Sequence, residues 1–284
     1  MSGRGLRIIL VAAAFVLAAG LFLAPSQVNF QPQKSSAIKA PSPNFDFESL
    51  IKTAKGSLDD ERKGFISALE MTLSAHPDSI ALYDSIGKAW DASNIPAVSA
   101  YYYEQKAEKV QAEKNYLDAA YRYFDAYKIA EDTALKSLMV QKAMVNYEKV
   151  LEKNPANLDA KTDLGICYAE GTAEPMKGIM MLRDVVTANP NHEMAQFNLG
   201  LLSLKSTQYA KAIDRFDKVI AINPKRSEAY LYKGQTYLQM GDTAKAIESL
   251  DLYKTKSDNY EMIQQVSKLL EELKKAQQAH KAAS

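Results

Sequence analysis

A self-similarity at 34 residues constrains this chain more than any other feature of its sequence. Residues 195–224 (AQFNLGLLSLKSTQYAKAIDRFDKVIAINP) align with residues 229–258 (AYLYKGQTYLQMGDTAKAIESLDLYKTKSD) at that offset. Gly200 then falls on Gly234, Ala212 on Ala246, Ile213 on Ile247 and Phe216 on Leu250. A further copy lies upstream at an offset of 35, with Leu164-Gly165 and Tyr168, then Gly178, Leu182, Val185 and Pro190. A looser one carries Ile86-Gly87 and Trp90, then Ser99, Tyr103 and Lys106. Each copy is too short to bury its own apolar face, so copies must stack on their neighbours. From Tyr209 to Ile220 the apolar residues recur at steps of three and four, which is one face of a helix. Gly200 and Ala212 are small where two antiparallel helices approach, and Pro190 and Pro224 stop the second helix of their copies.

The pattern resembles the tetratricopeptide repeat, with an LG-x-x-Y core in a first helix and a small residue, an aromatic or leucine and a closing proline in a second. The resemblance spans about residues 80–258 and implies an all-α, right-handed superhelical solenoid of helical hairpins. Five copies are read, over 80–113, an irregular 114–157, 158–192, 193–226 and 227–258. Gly165, Gly200, Ala212, Phe216, Gly234 and Ala246 form the structural core of the repeats. The irregular copy pairs a tyrosine-rich helix, Tyr116 to Ala130, with a long one from Thr133 to Leu151. Three residues depart from the pattern: Gln196 replaces a bulky aromatic, Lys233 a leucine and Asp258 the closing proline. Residues 45–79 read as two N-terminal helices, Phe45 to Leu58 and Asp60 to Ser74. Residues 259–284 read as a capping helix and tail, with Tyr260, Ile263, Val266, Leu269, Leu270 and Leu273 on an inward stripe.

Ahead of the repeats, Ile8 to Ala24 form 17 uncharged, largely apolar residues, about 25 Å as a helix against a bilayer core of ~30 Å. Arg4 and Arg7 precede this stretch, which places residues 1–7 in the cytoplasm and everything beyond Ala24 across the membrane. A cleaved secretory signal is the rival, since Ala18-Ala19-Gly20 supplies small residues of the kind a signal peptidase takes. Residues 25–44, rich in proline and serine, read as a disordered linker. The expected arrangement is a single-pass inner-membrane protein with its repeats in the periplasm.

The sequence holds little of the usual catalytic equipment. Lysine and arginine number 35 against 34 aspartates and glutamates, a balance that argues against nucleic acid as partner. A single cysteine, Cys167, forms no disulfide framework, and the three histidines are far apart. Cys167 reads as a small core residue, His192 as a solvated turn residue and Tyr101-Tyr102-Tyr103 as helix packing. Neither metal nor cofactor is expected, and no enzyme activity. In members of the resembled family the first helices line a groove that holds a peptide or a helix. By that resemblance Phe197, Leu201 and Leu204, with Leu231, Gln235 and Leu238 one hairpin later, form an exposed strip for a protein partner. The rival is that a neighbouring hairpin or the C-terminal helix covers the strip. The paired Lys/Asn pattern that clamps a C-terminal carboxylate is absent from these copies. The expected function is therefore a scaffold or adaptor for a membrane or envelope complex.

Overall fold

A computed structural model describes residues 45–283; the apolar segment 8–24 and the linker 25–44 lie outside the described residues. Thirteen helices are described, and among these residues there is no strand. None of the described helices is long and apolar enough to cross a membrane. The described chain divides into two compact units, residues 45–181 and 182–283.

The N-terminal unit contains α1 (Phe47–Gly56), α2 (Asp60–Ala75), α3 (Ile80–Ala92), α4 (Pro96–Lys109), α5 (Glu113–Ile129), α6 (Thr133–Lys153), α7 (Leu158–Gly171) and the start of α8 (Pro175–Ala188). Local chemistry sets the helix starts. The side chains of Asp46, Asp59, Asp132 and Asn157 each accept from a backbone amide three residues on, satisfying a donor that the first turn leaves unpaired. Pro96 opens α4 where no amide is needed. One core gathers Ile66, Tyr83, Ile86, Trp90, Val98 and Tyr102. A larger one gathers Tyr116, Tyr123, Tyr127, Met139, Val140, Tyr147 and Cys167. Glu104 is buried beside this second core. It accepts hydrogen bonds from the Tyr123 hydroxyl (2.8 Å), Lys142 Nζ (2.8 Å) and Asn146 Nδ2 (3.0 Å), so its charge is matched and its oxygens occupied. Cys167 is fully buried, and desolvation pushes its thiol well above the ordinary range.

The C-terminal unit holds the remainder of α8, then α9 (Glu193–Lys205), α10 (Tyr209–Ile222), α11 (Ser227–Met240), α12 (Thr243–Lys256) and α13 (Tyr260–Ala283). Ala212, Phe216, Val219, Ala229, Ala246 and Leu250 are buried, as are Gly200 and Gly234; Gly165 is buried in the N-terminal unit. A methyl group on Gly200 would lie 2.7 Å from the Phe216 ring, so the close approach expected of this hairpin is real. Val266, Leu269, Leu270 and Leu273 of α13 pack on Tyr230, Leu231, Leu250 and Tyr253.

Each of the three departures has its own local solution. Gln196 is buried, donates to the Pro190 carbonyl (2.6 Å) and accepts from Arg215 (2.5 Å), so hydrogen bonds occupy the place of an aromatic ring. Lys233 reaches Asp217 at 2.5 Å. At Asp258 the helix break comes from Asn259 instead of proline, its side chain accepting from the Met262 amide at 3.0 Å. Two sequence expectations are corrected. Tyr260 is 72% exposed and does not join the inward stripe of α13, because it stands in the first turn, ahead of the packed segment. His192 is buried instead of solvated: its Nδ1 accepts from the Ala195 amide at 3.3 Å and caps α9.

Candidate partner-binding face

The expected strip takes three positions of each first helix, spaced by four and three residues. In α9 these are Phe197, Leu201 and Leu204. The structure does not leave them as an open strip. Phe197 is 7% exposed, enclosed by Phe216 (6.0 Å between centroids), Tyr232 (5.7 Å) and the Arg226 guanidinium (4.7 Å). Leu201 and Leu204 are half-buried against the same cluster. In α11, Leu231 is 8% exposed and Leu238 half-buried, both within the cluster that α13 completes; Gln235 beside them is half-buried. The covered alternative thus holds for Phe197 and Leu231. In these two hairpins the strip becomes a packing surface for the helix that follows, because a repeat that cannot bury its apolar face alone uses whatever neighbour comes next.

The same three positions in α3, aligned through Gly87 and Gly200, are Asp84, Lys88 and Asp91. Here the face stays open. A groove of about 600 Å³ runs between α3 and α5, lined by Ile80, Ala81, Asp84 and Lys88, by Tyr103 and Lys106 of α4, and by Lys114, Asp118 and Arg122. The sequence reading missed it because it looked for apolar residues, although the repeat register was already pointing at these positions. Asp84 receives both Lys88 (2.6 Å) and Lys106 (2.7 Å). Burial pushes its carboxyl up, but the two lysine hydrogen bonds outweigh this and hold it below the usual carboxylate range. Arg122 donates from Nε to Asp91 (2.8 Å), places a second nitrogen 2.7 Å from it, and lies 3.8 Å from the centre of the Tyr103 ring. A third contact, from Nη1 to the Asp118 carbonyl at 2.9 Å, completes the fixing of that guanidinium. Lys114 is exposed and forms no ion pair among the described residues.

One repeat further along, between α5 and α7, the face changes sign. Asp125, Asp159, Asp163 and Glu170 stand there with Tyr121 and Lys128, which pairs with Asp125 at 2.7 Å. Burial, and then the neighbouring Asp159 charge, raise the Asp163 carboxyl to about 7. Tyr121 is 38% exposed and meets the buried Tyr147 edge to face at 6.0 Å. Among the described residues no cluster of histidine, cysteine or carboxylate side chains is arranged to hold a metal ion.

Comparison with known proteins meets the geometry at this point. A tetratricopeptide-repeat family model matches residues 203–266. Over that stretch the chain carries tetratricopeptide repeats. It is similar to a tetratricopeptide repeat protein from Parabacteroides merdae, at 17% identity and a TM-score of 0.56, over 81% of this chain and 86% of that one. It is also similar to pilF of Pseudomonas aeruginosa, at 14% identity and a TM-score of 0.54, over 72% and 88% of the two chains. At these identities the two structures speak for the fold alone. Anaphase-promoting complex subunit 3 of Dictyostelium discoideum is 31% identical over 88 residues, which are 31% of this chain and 9% of that protein. The chain spans less than a quarter of the length of the curated relatives it matches.

Proposed function

We propose that this tetratricopeptide-repeat protein is a non-enzymatic scaffold that holds a segment of a partner protein on the first-helix face of residues 80–171. The open groove between α3 and α5 carries this reading. It includes, at Asp84, the register position that is covered in α9 and α11, and its base is fixed in advance, Lys106 by Asp84 and Arg122 by Asp91 and Tyr103. Side chains held in place before binding lose less entropy when a partner arrives. The uncharged stretch from Ile8 to Ala24 behind Arg4 and Arg7 supports a membrane tether with the repeats on the exported side, and the proline-rich linker supports a spacer. Ala18-Ala19-Gly20 favours a second reading, in which cleavage releases the same scaffold as a soluble periplasmic adaptor.

Two measurements test this. Crosslinking in native membranes followed by capture of the full chain should return specific protein partners, and a chain that returns none contradicts the scaffold. Alkali extraction of those membranes should leave the chain in the pellet; release into the supernatant selects the cleaved form.

A further inference from the structure

We infer that the groove between α3 and α5 takes an acidic segment of the partner, recognising its side-chain carboxylates. The inference rests on the scaffold reading and names the class of partner for that site. The charge inventory leaves a positive excess: four cations, Lys88, Lys106, Lys114 and Arg122, line the groove with two carboxylates, Asp84 and Asp118, and Asp91 behind them neutralises Arg122. These cations differ in what they are free to do. Arg122 is committed to Asp91 and the Tyr103 ring. Lys106 and Lys88 share Asp84, so one carboxylate serves two ammonium groups. The Lys106 side chain is only 15% exposed and stays with Asp84 at the base, whereas that of Lys88 is 69% exposed and can turn to an incoming carboxylate without stranding Asp84. Lys114 faces it from the first turn of α5, exposed and without an ion pair of its own among the described residues. Two exposed ammonium groups on opposite walls, above a floor of paired charge and the Tyr103 ring, match a short run of aspartate or glutamate.

The test uses the full chain and three labelled unstructured peptides of equal length, carrying glutamates, lysines or glutamines at the same positions. Fluorescence anisotropy should show the glutamate peptide binding at low salt, the glutamine peptide at least about tenfold more weakly and the lysine peptide more weakly still. Raising the salt severalfold should abolish most of the difference. Lys88→Gln with Lys114→Gln should bring the glutamate peptide down to the glutamine level with an unchanged thermal melt, since both lysines are exposed. Lys88→Glu with Lys114→Glu should reverse the preference toward the lysine peptide. Equal binding of the glutamate and glutamine peptides by the unaltered chain overturns the inference, as does undiminished glutamate binding by both double variants. Failure here is distinguishable from failure of the scaffold reading. A chain that still captures crosslinked partners, unaffected by glutamate peptide in excess, is a scaffold whose groove has another occupant.

Discussion

The two units solve the same packing problem with different chemistry. In the C-terminal unit the contact between paired helices is apolar and close: Ala212, Phe216, Val219 and Leu250 fill it, and glycine at 200 and 234 leaves room for them. In the N-terminal unit the interior is built from tyrosines and a buried carboxylate. Tyr116, Tyr123, Tyr127 and Tyr147 supply large rings, while Glu104 ties α4, α5 and α6 together through Tyr123, Lys142 and Asn146. An apolar interface tolerates substitution as long as volume is kept. A polar network fails when one member is removed, because the others are left buried without partners. The first design is forgiving of residue identity and the second is exacting.

The largest expected effect tests that distinction directly. Glu104→Ala should cost roughly 3 kcal/mol, since it leaves the buried Tyr123 hydroxyl without a partner and takes one of two acceptors from the Asn146 amide. Replacing the network as a whole, with Glu104→Leu, Lys142→Met and Asn146→Leu, should recover most of the loss. Denaturant unfolding of the full chain measures both. If the single truncation is mild, the network does not set the stability of this unit, and the contrast between the units disappears.

A second, intermediate effect is confined to the N-terminal unit and depends on pH. The Asp163 carboxyl is raised to about 7, above its ordinary 3.8. Between those values the folded form keeps a proton that the unfolded chain has lost, so stability should fall as pH rises from about 4 to 7 and level off above. A displacement of about three units corresponds to ~4 kcal/mol in full, and roughly half of that is expected for a carboxyl that keeps some contact with water. Asp163→Asn should therefore raise stability by about 2 kcal/mol at pH 8 and change it little near pH 4. Hydrogen exchange should show the gain in residues 45–181. A gain that is the same at both pH values would remove the titration from the explanation.

The smallest effect sharpens the comparison through a difference of sign. Gly200→Ala puts a methyl group 2.7 Å from the Phe216 ring and should cost about 1 kcal/mol even after the gain in helix propensity. Gly64→Ala, within α2, meets no atom within 4 Å and should stabilise the chain by roughly 0.5–1 kcal/mol. Thermal melts of the two variants that moved in the same direction would argue against close approach at Gly200.

The repeat was legible because it is written in local rules. A small residue stands where helices meet, apolar residues recur at three and four, and a proline or a cap ends each copy. Those rules gave the hairpins and helix ends that α9 to α12 display, and in the tyrosine-rich stretch they gave α5 and α6 to within a few residues. The open face was half legible. Register identified the equivalent positions of each first helix, yet it could not say which of them a neighbour covers. Phe197 and Leu231 looked like the strip because they are apolar; they are covered for the same reason, since burying apolar surface is what drives stacking. At the matching positions of α3, Lys88 stays exposed and Asp84 and Asp91 half-buried, because charge resists burial. The sequence by itself determined the period, the helical hairpin and the apolar stretch ahead of it. Only the tertiary structure decided that Glu104 finds three partners on α5 and α6, that His192 turns inward to cap α9, and that the open groove is the charged one. Helices follow from neighbours within a few residues, whereas burial is a property of whatever the stack brings alongside.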